Sequence, residues 1–136
     1  MAHKLHGRKV LITGGGSGIG LETARLFSRE GAHVALLDAN PVTLEQARRE
    51  IGDCFAVEVD VTQEAQVSVG VNEAIRQLDG LDGLVNAAGI SFWRSFDETT
   101  FADWRQMLSV NLDGPFLAER HYDKARCAAR TGVVPR

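Results

Sequence analysis

The chain has 136 residues, 44% of them hydrophobic and 24% charged, with a formal net charge of −3. That length and balance suit one soluble globular unit, and the mild acidity supplies no basic field for nucleic acid or anionic lipid. No apolar run approaches the roughly 18 residues of a membrane span, and Met1 to Gly7 lack the apolar stretch of a secretion signal.

The chain then alternates short apolar runs with helical stripes. Lys9-Val10-Leu11-Ile12-Thr13, stopped by three glycines, predicts a buried strand. Gly18 to Glu30 predicts a helix with Ile19, Thr23, Leu26 and Phe27 on its inner face and Gly31 as its left-handed stop. His33 to Leu37 is a second strand, closed by Asp38. Asn40-Pro41, an N-cap followed by Pro at the first helical position, opens a charged helix to about Glu50.

Phe55 to Val59 predicts a third strand. Thr62 is a candidate cap for the next helix, where Val67, Val71, Ile75 and Leu78 recur at helical spacing. Gly83 to Ala87 is the fourth strand. After a loop with Phe92 and Trp93, Thr100 caps a long helix carrying Trp104, Leu108, Asn111 and Leu112 on or near one face. Tyr122, Ala125 and Ala129 continue a thin stripe, and Thr131 to Val134 has the character of a fifth strand's beginning. Arg120, Lys124, Arg126, Arg130 and Arg136 are expected to be a solvated face and tail.

Strands alternating with helices in this way imply right-handed crossovers and a parallel sheet covered on both faces. The expected architecture is α/β: the first half of a doubly wound sheet of about four strands, in order 3-2-1-4, with flanking helices. In such sheets ligands bind outside the carboxyl ends of the strands. The glycine cluster, Asp38, Asp60 and the segment from Asn86 to Gly89 all fall there.

Thr13-Gly14-Gly15-Gly16-Ser17-Gly18-Ile19-Gly20 joins the first strand to the first helix. Glycines allow a sharp turn and a close approach to the backbone, and the helix that follows directs free N–H groups and the positive end of its dipole at the crevice. A diphosphate suits that position. The order of glycines is neither GxGxxG nor the Walker A pattern, because no Gly-Lys-Ser/Thr follows. The four histidines show no metal-binding spacing, and Cys54 and Cys127 have no CxxC partner, so no metal site is expected and the compartment is read as a reducing cytoplasm.

The TGxxxGxG loop closely resembles the cofactor loop of short-chain dehydrogenases/reductases. The resemblance continues in Asp60-Val61-Thr62, in Leu84-Val85-Asn86-Ala87-Ala88-Gly89-Ile90 and in Val110 to Phe116, in the family's order, over residues 8 to 117. It implies a Rossmann-type NAD(P)-binding domain over residues 1–136. By the same resemblance Gly14, Ser17, Gly18, Ile19 and Gly20 hold the pyrophosphate side of the cofactor, and Asp60 and Val61 hold adenine. Asn86, Ala88 and Gly89 back the nicotinamide ribose and tie neighbouring strands. The second Asn of the family's block is Ala87 here, so one polar tie falls to the backbone.

Asp38 ends the second strand eighteen residues after Gly20, where a carboxylate accepts hydrogen bonds from the adenosine ribose. A 2′-phosphate there meets like-charge repulsion, and no Arg or Lys stands at 14–20 or 38–40 to receive it. The expected cofactor is therefore NAD rather than NADP.

The resemblance implies hydride transfer between a nicotinamide and an alcohol or carbonyl carbon, with Ser, Tyr and Lys moving the proton and an Asn in the relay. Asn111 matches that Asn and is the candidate catalytic residue. The family's Ser and Tyr-x-x-x-Lys are not found: the sole tyrosine, Tyr122, is followed four residues later by Arg126. It stands on the helix of Asn111, and arginine stays protonated, so it cannot replace lysine in a proton relay.

These readings give an NAD-dependent oxidoreductase of small alcohols or ketones, truncated on its C-terminal side and inactive alone. A chain cut short, an interrupted gene and a changed reading frame all fit. The alternatives are a non-catalytic dinucleotide-binding module, a non-functional remnant, or another glycine-loop fold such as a methyltransferase. The family implies a homo-oligomer, a dimer or a tetramer. An open fourth strand, with Trp104 and Phe116 uncovered, implies self-association of the fragment.

Overall fold

The structure, a computed structural model, describes residues 3–131, with side chains through Ala128. In chain order it contains β1 (Lys9–Thr13), α1 (Gly18–Arg29), β2 (His33–Asp38), α2 (Pro41–Ile51), β3 (Cys54–Glu58), α3 (Glu64–Leu78), β4 (Gly83–Asn86), α4 (Phe101–Leu108), a π-helical segment (Ser109–Asp113) and α5 (Gly114–Thr131). The four strands form one parallel sheet in the order β3-β2-β1-β4. This is a doubly wound, Rossmann-type arrangement.

The apolar runs are continuous because both faces of the sheet are buried. Leu11, Ala35 and Leu37 pack with Val59, Val61, Val67, Val71, Ala74 and Ala118 on the side of α3 and α5. Val10, Ile12, Val34 and Leu36 pack with Ala24, Leu44 and Ala47 on the side of α1 and α2. Each fully buried Val, Leu or Ile contributes about 1.5–3 kcal/mol, so the two layers fix the strand register. Thr13 lies opposite both Leu37 and Asn86, and Asp38 opposite Glu58. The carboxyl ends of the strands thus finish together.

Two helix starts follow their capping residues. Asn40 Oδ1 accepts from the backbone N–H groups of Val42 and Thr43 at 3.0 and 3.2 Å. Thr100 and Asp103 form a reciprocal capping box at the start of α4. Thr62, by contrast, is not a cap. Asp60 Oδ1 accepts from the Thr62 N–H and hydroxyl, at 2.9 and 2.7 Å, and α3 begins at Glu64, with Gln63 in the N-cap position and no side-chain capping bond.

The inner face of α1 also differs from the expected stripe. Ile19 is 80% and Leu26 49% exposed, while Gly20 and Ala24 are buried. The helix lies so close to the sheet that only small residues fit beneath it. Phe27 packs at the margin of that core.

The long helix is broken by the π segment, which the amphipathic pattern did not reveal. In a regular α-helix Asn111 and Ala118, seven apart, would share a face. Here Asn111 faces the loop after β4 while Ala118 is fully buried. Thr131 is helical rather than the start of a strand. The rest of that expected strand, Gly132 to Val134, lies outside the described residues, as do the side chains of Ala129, Arg130 and Arg136.

Candidate functional site

A crevice of about 430 Å³ opens at the carboxyl ends of the strands. Its walls bring together Gly14, Ser17, Gly18 and Ile19 from the glycine loop, Asp38 and Ala39 from the end of β2, Val59, Asp60 and Val61 after β3, and Ala87 to Ile90 after β4, with Val110 beyond them. Nine of the eleven residues assigned to the cofactor from sequence thus converge or border directly on one cleft; Gly20 and Asn86 do not line it.

The loop reaches this shape through close backbone packing. Gly14 has φ +65°, and a Cβ on it would stand 2.6 Å from the Ala88 nitrogen. A Cβ on Gly20 would stand 2.1 Å from the Gly14 oxygen. Gly20 therefore acts beneath the cleft, letting the first turn of α1 settle onto the loop. Ser17 caps that turn without a side-chain hydrogen bond. The N–H groups of a first helical turn have no intrahelical acceptor, so together with the helix dipole they form an anion-attracting end.

The second wall is acidic. Asp38 Oδ2 accepts from the Gly16 N–H and Oδ1 from the Asn40 N–H, each at 2.9 Å. Asp60 is oriented by Thr62, and its own N–H donates to Gln66 Oε1 at 2.9 Å. No Lys or Arg lines the cleft among the described residues. The cleft therefore pairs an anion-attracting loop with two carboxylates that attract hydroxyl or amine donors. A bare-backbone cradle for a diphosphate, flanked by acceptors for ribose and adenine donors, fits the donor set of an adenine dinucleotide.

The third wall is held by the backbone. The Ala87 N–H donates to the Thr13 carbonyl at 3.2 Å, and the Ala88 N–H to the buried Thr13 hydroxyl at 3.3 Å. Thr13, the threonine that opens the TGxxxGxG pattern, thus ties β1 to the segment after β4, a role that the pattern alone does not specify. Asn111 does not line the cleft. Its Oδ1 accepts from the Ile90 N–H at 2.9 Å and its Nδ2 donates to the Ile90 carbonyl at 2.8 Å. Asn86 turns away, donating to Glu119 Oε1 at 3.2 Å.

Asn86 borders a second, open hollow of about 600 Å³ beside β4, shared with Leu84, Phe116, Glu119, Arg120, Tyr122 and Asp123. Tyr122 lies there, not in the cleft, with the Arg126 guanidinium 5.6 Å from its ring centroid. Phe92, Trp93 and Arg94 line neither cavity. Arg94 stacks 5.5 Å from the Phe92 centroid and pairs with Asp103, and Trp93 is fully exposed. Among the described residues no His/Cys/Asp/Glu group could hold a metal, and no helix is long and apolar enough to cross a membrane.

Comparison with known proteins agrees with this geometry. Galactitol 2-dehydrogenase (L-tagatose-forming) of Cereibacter sphaeroides is 37% identical over 133 residues, covering 96% of this chain and 52% of that protein. A short-chain type dehydrogenase/reductase from Mycobacterium marinum superposes with a TM-score of 0.90 at 27% identity, over 96% of this chain and 54% of its own. A 3-ketoacyl-(acyl-carrier-protein) reductase from Brucella melitensis, solved in complex with NADH, gives 0.87 at 30% identity over 95% of this chain and 54% of that one. The chain spans about half the length of the curated relatives it matches. The family model for short chain dehydrogenase matches residues 8–134, and with the glycine loop, the strand order and the cleft in agreement, the chain belongs to the short-chain dehydrogenase family.

Proposed function

We propose that this chain carries the cofactor-binding part of an NAD-dependent oxidoreductase that interconverts a small alcohol and its carbonyl. The observation that carries the reading is Asp38: a carboxylate at the end of β2, held by two backbone N–H groups, in a cleft lined by no cation among the described residues. It accepts from ribose hydroxyls and repels a 2′-phosphate.

Gly14, Ser17, Gly18 and Ile19 receive the diphosphate, with Gly20 shaping the turn beneath it. Asp60 and Val61 hold adenine, and Ala88 and Gly89 back the nicotinamide ribose, while Asn86 ties β4 to α5. When bound, the nicotinamide supplies or takes up the hydride. Asn111 holds the far wall through Ile90 and, by its place in the family pattern, belongs to the proton relay. The reading includes a cytoplasmic homo-oligomer, dimer or tetramer.

Fluorescence titration with NADH and NADPH tests this. The expected result is tighter NADH binding, with the preference moved toward NADPH in Asp38→Ala/Ala39→Arg; an unchanged preference in that variant refutes the ribose role. A second reading, a dinucleotide-binding module without catalysis, is favoured by the placement of Tyr122, the sole tyrosine, outside the cleft. Binding without turnover on a panel of alcohols would select it.

A further inference from the structure

Gly16 occupies a position that the glycine pattern leaves free, yet it is buried and in contact with the cofactor-selecting carboxylate. A Cβ on it would lie 2.9 Å from Asp38 Oδ2, 3.1 Å from Asp38 Cγ and 2.9 Å from Thr43 Oγ1. Its backbone is not in the left-handed region, since only Gly14 and Gly18 of this loop have positive φ. The bare Cα therefore matters for room, since a Cβ would make the Asp38 carboxylate or the Thr43 hydroxyl shift, and not for backbone conformation. Thr43 closes the other side: it is β-branched, in the first turn of α2, and its hydroxyl donates to the Asn40 carbonyl at 3.3 Å.

We infer that Gly16 is a specificity-determining position that acts through Asp38. This rests on the reading of Asp38 as the ribose-binding carboxylate. The missing side chain lets the carboxylate seat against the loop, with Oδ2 on the Gly16 N–H and Oδ1 on the Asn40 N–H. Its remaining lone pairs are thereby aimed at a ribose diol. Any side chain at 16 pushes Oδ2 off that N–H and turns the carboxylate toward the space the diol needs. Discrimination between a 2′-hydroxyl and a 2′-phosphate is set jointly by the loop and by Asp38.

The test is the ratio of NADH to NADPH affinity, measured on the same preparation so that any unfolded fraction cancels. The variants are Gly16→Ala, Asp38→Ala, both together, and Gly15→Ala. The last is a control, because a Cβ on Gly15 would meet Leu36 at 2.9 Å and the Ile12 carbonyl oxygen at 3.3 Å before any atom of Asp38. Gly16→Ala is expected to weaken NADH binding about tenfold, the size of one lost charge-assisted hydrogen bond, and NADPH binding about twofold or less. In the Asp38→Ala background it should leave the ratio unchanged, and Gly15→Ala should keep the wild-type ratio.

A lowered ratio in Asp38→Ala with a wild-type ratio in Gly16→Ala overturns the Gly16 inference alone. An equal drop from Gly16→Ala in both backgrounds, or the same drop in Gly15→Ala, also overturns it. An unchanged ratio in Asp38→Ala, or a wild-type chain that takes neither dinucleotide, removes the ribose reading and this inference with it.

Discussion

The side chain of Asn111 and the backbone of Ile90 bond each other in both directions, as two paired strands would: Ile90 N–H to Oδ1 at 2.9 Å and Nδ2 to the Ile90 carbonyl at 2.8 Å. One amide thus fixes the point where the chain leaves the cleft and enters the 91–100 loop. Asn111→Ala should destabilise the fold by about 1–2 kcal/mol. It should also accelerate hydrogen exchange at the Ile90 amide more than at Val85 in the sheet. Equal protection of Ile90 in both proteins would show that the pair is not holding the loop.

The far end of that loop is fastened by Asp103, whose carboxylate accepts from the Thr100 N–H at 3.0 Å and pairs with Arg94. The Thr100 backbone N–H, then the Thr100 side chain and the Arg94 guanidinium, hold its carboxyl below the ordinary value of 3.8. A carboxyl depressed in the folded state stabilises above its unfolded pKa, and the benefit is lost as pH falls through the folded value. Wild type should therefore melt above Asp103→Asn at neutral pH. The gap should close only as pH drops below 3.8. A gap independent of pH down to acid unfolding would contradict this.

In the middle of α3, Gly70 sits where a Cβ would come within 2.5 Å of Val59 Cγ2 and 3.3 Å of Leu37 Cδ2. Alanine is the better helix former by about 0.5–1 kcal/mol, but overpacking a core typically costs about 1–3 kcal/mol. Gly70→Ala should therefore lower the urea midpoint. Combined with Val59→Ala, which opens the space, it should lose less than the sum of the single effects. Simple additivity would mean that the two sites do not touch.

Trp104, Leu112 and Phe116 are 54%, 61% and 60% exposed, and among the described residues β4 pairs with β1 alone. Exposed apolar side chains near an unpaired strand edge favour association. The chain should elute above its 14.8 kDa mass, and Phe116→Lys should shift it toward the monomer. A sharp monomer peak with a cooperative melt in the wild type would rule this out.

Much of the architecture was legible because several signals agreed. Four apolar runs alternate with helices, Asn40-Pro41 and Thr100 mark helix starts, and strand ends gather the candidate site residues. What the pattern missed was set by contacts between distant segments. Ile19 and Leu26 resemble a core stripe, but the depth at which α1 sits is decided by Gly20 and Ala24. Thr62 has a cap's composition, yet Asp60 takes its hydroxyl first. The direction of Asn86 followed from β4 register and the nearness of Glu119. The seat of Asp38 on Gly16 joins residues 22 apart, which no local period encodes.

The π segment between α4 and α5 holds one residue more than a uniform screw would need. Winding 109–113 as a uniform α-helix with every residue kept would rotate everything downstream by roughly 100°. Ala118 would swing out from against the sheet, and a bulkier neighbour would arrive in its place. The bulge thus sets the rotation of the whole of α5, and an inserted or deleted residue that no such bulge absorbs would act as an angular error along it.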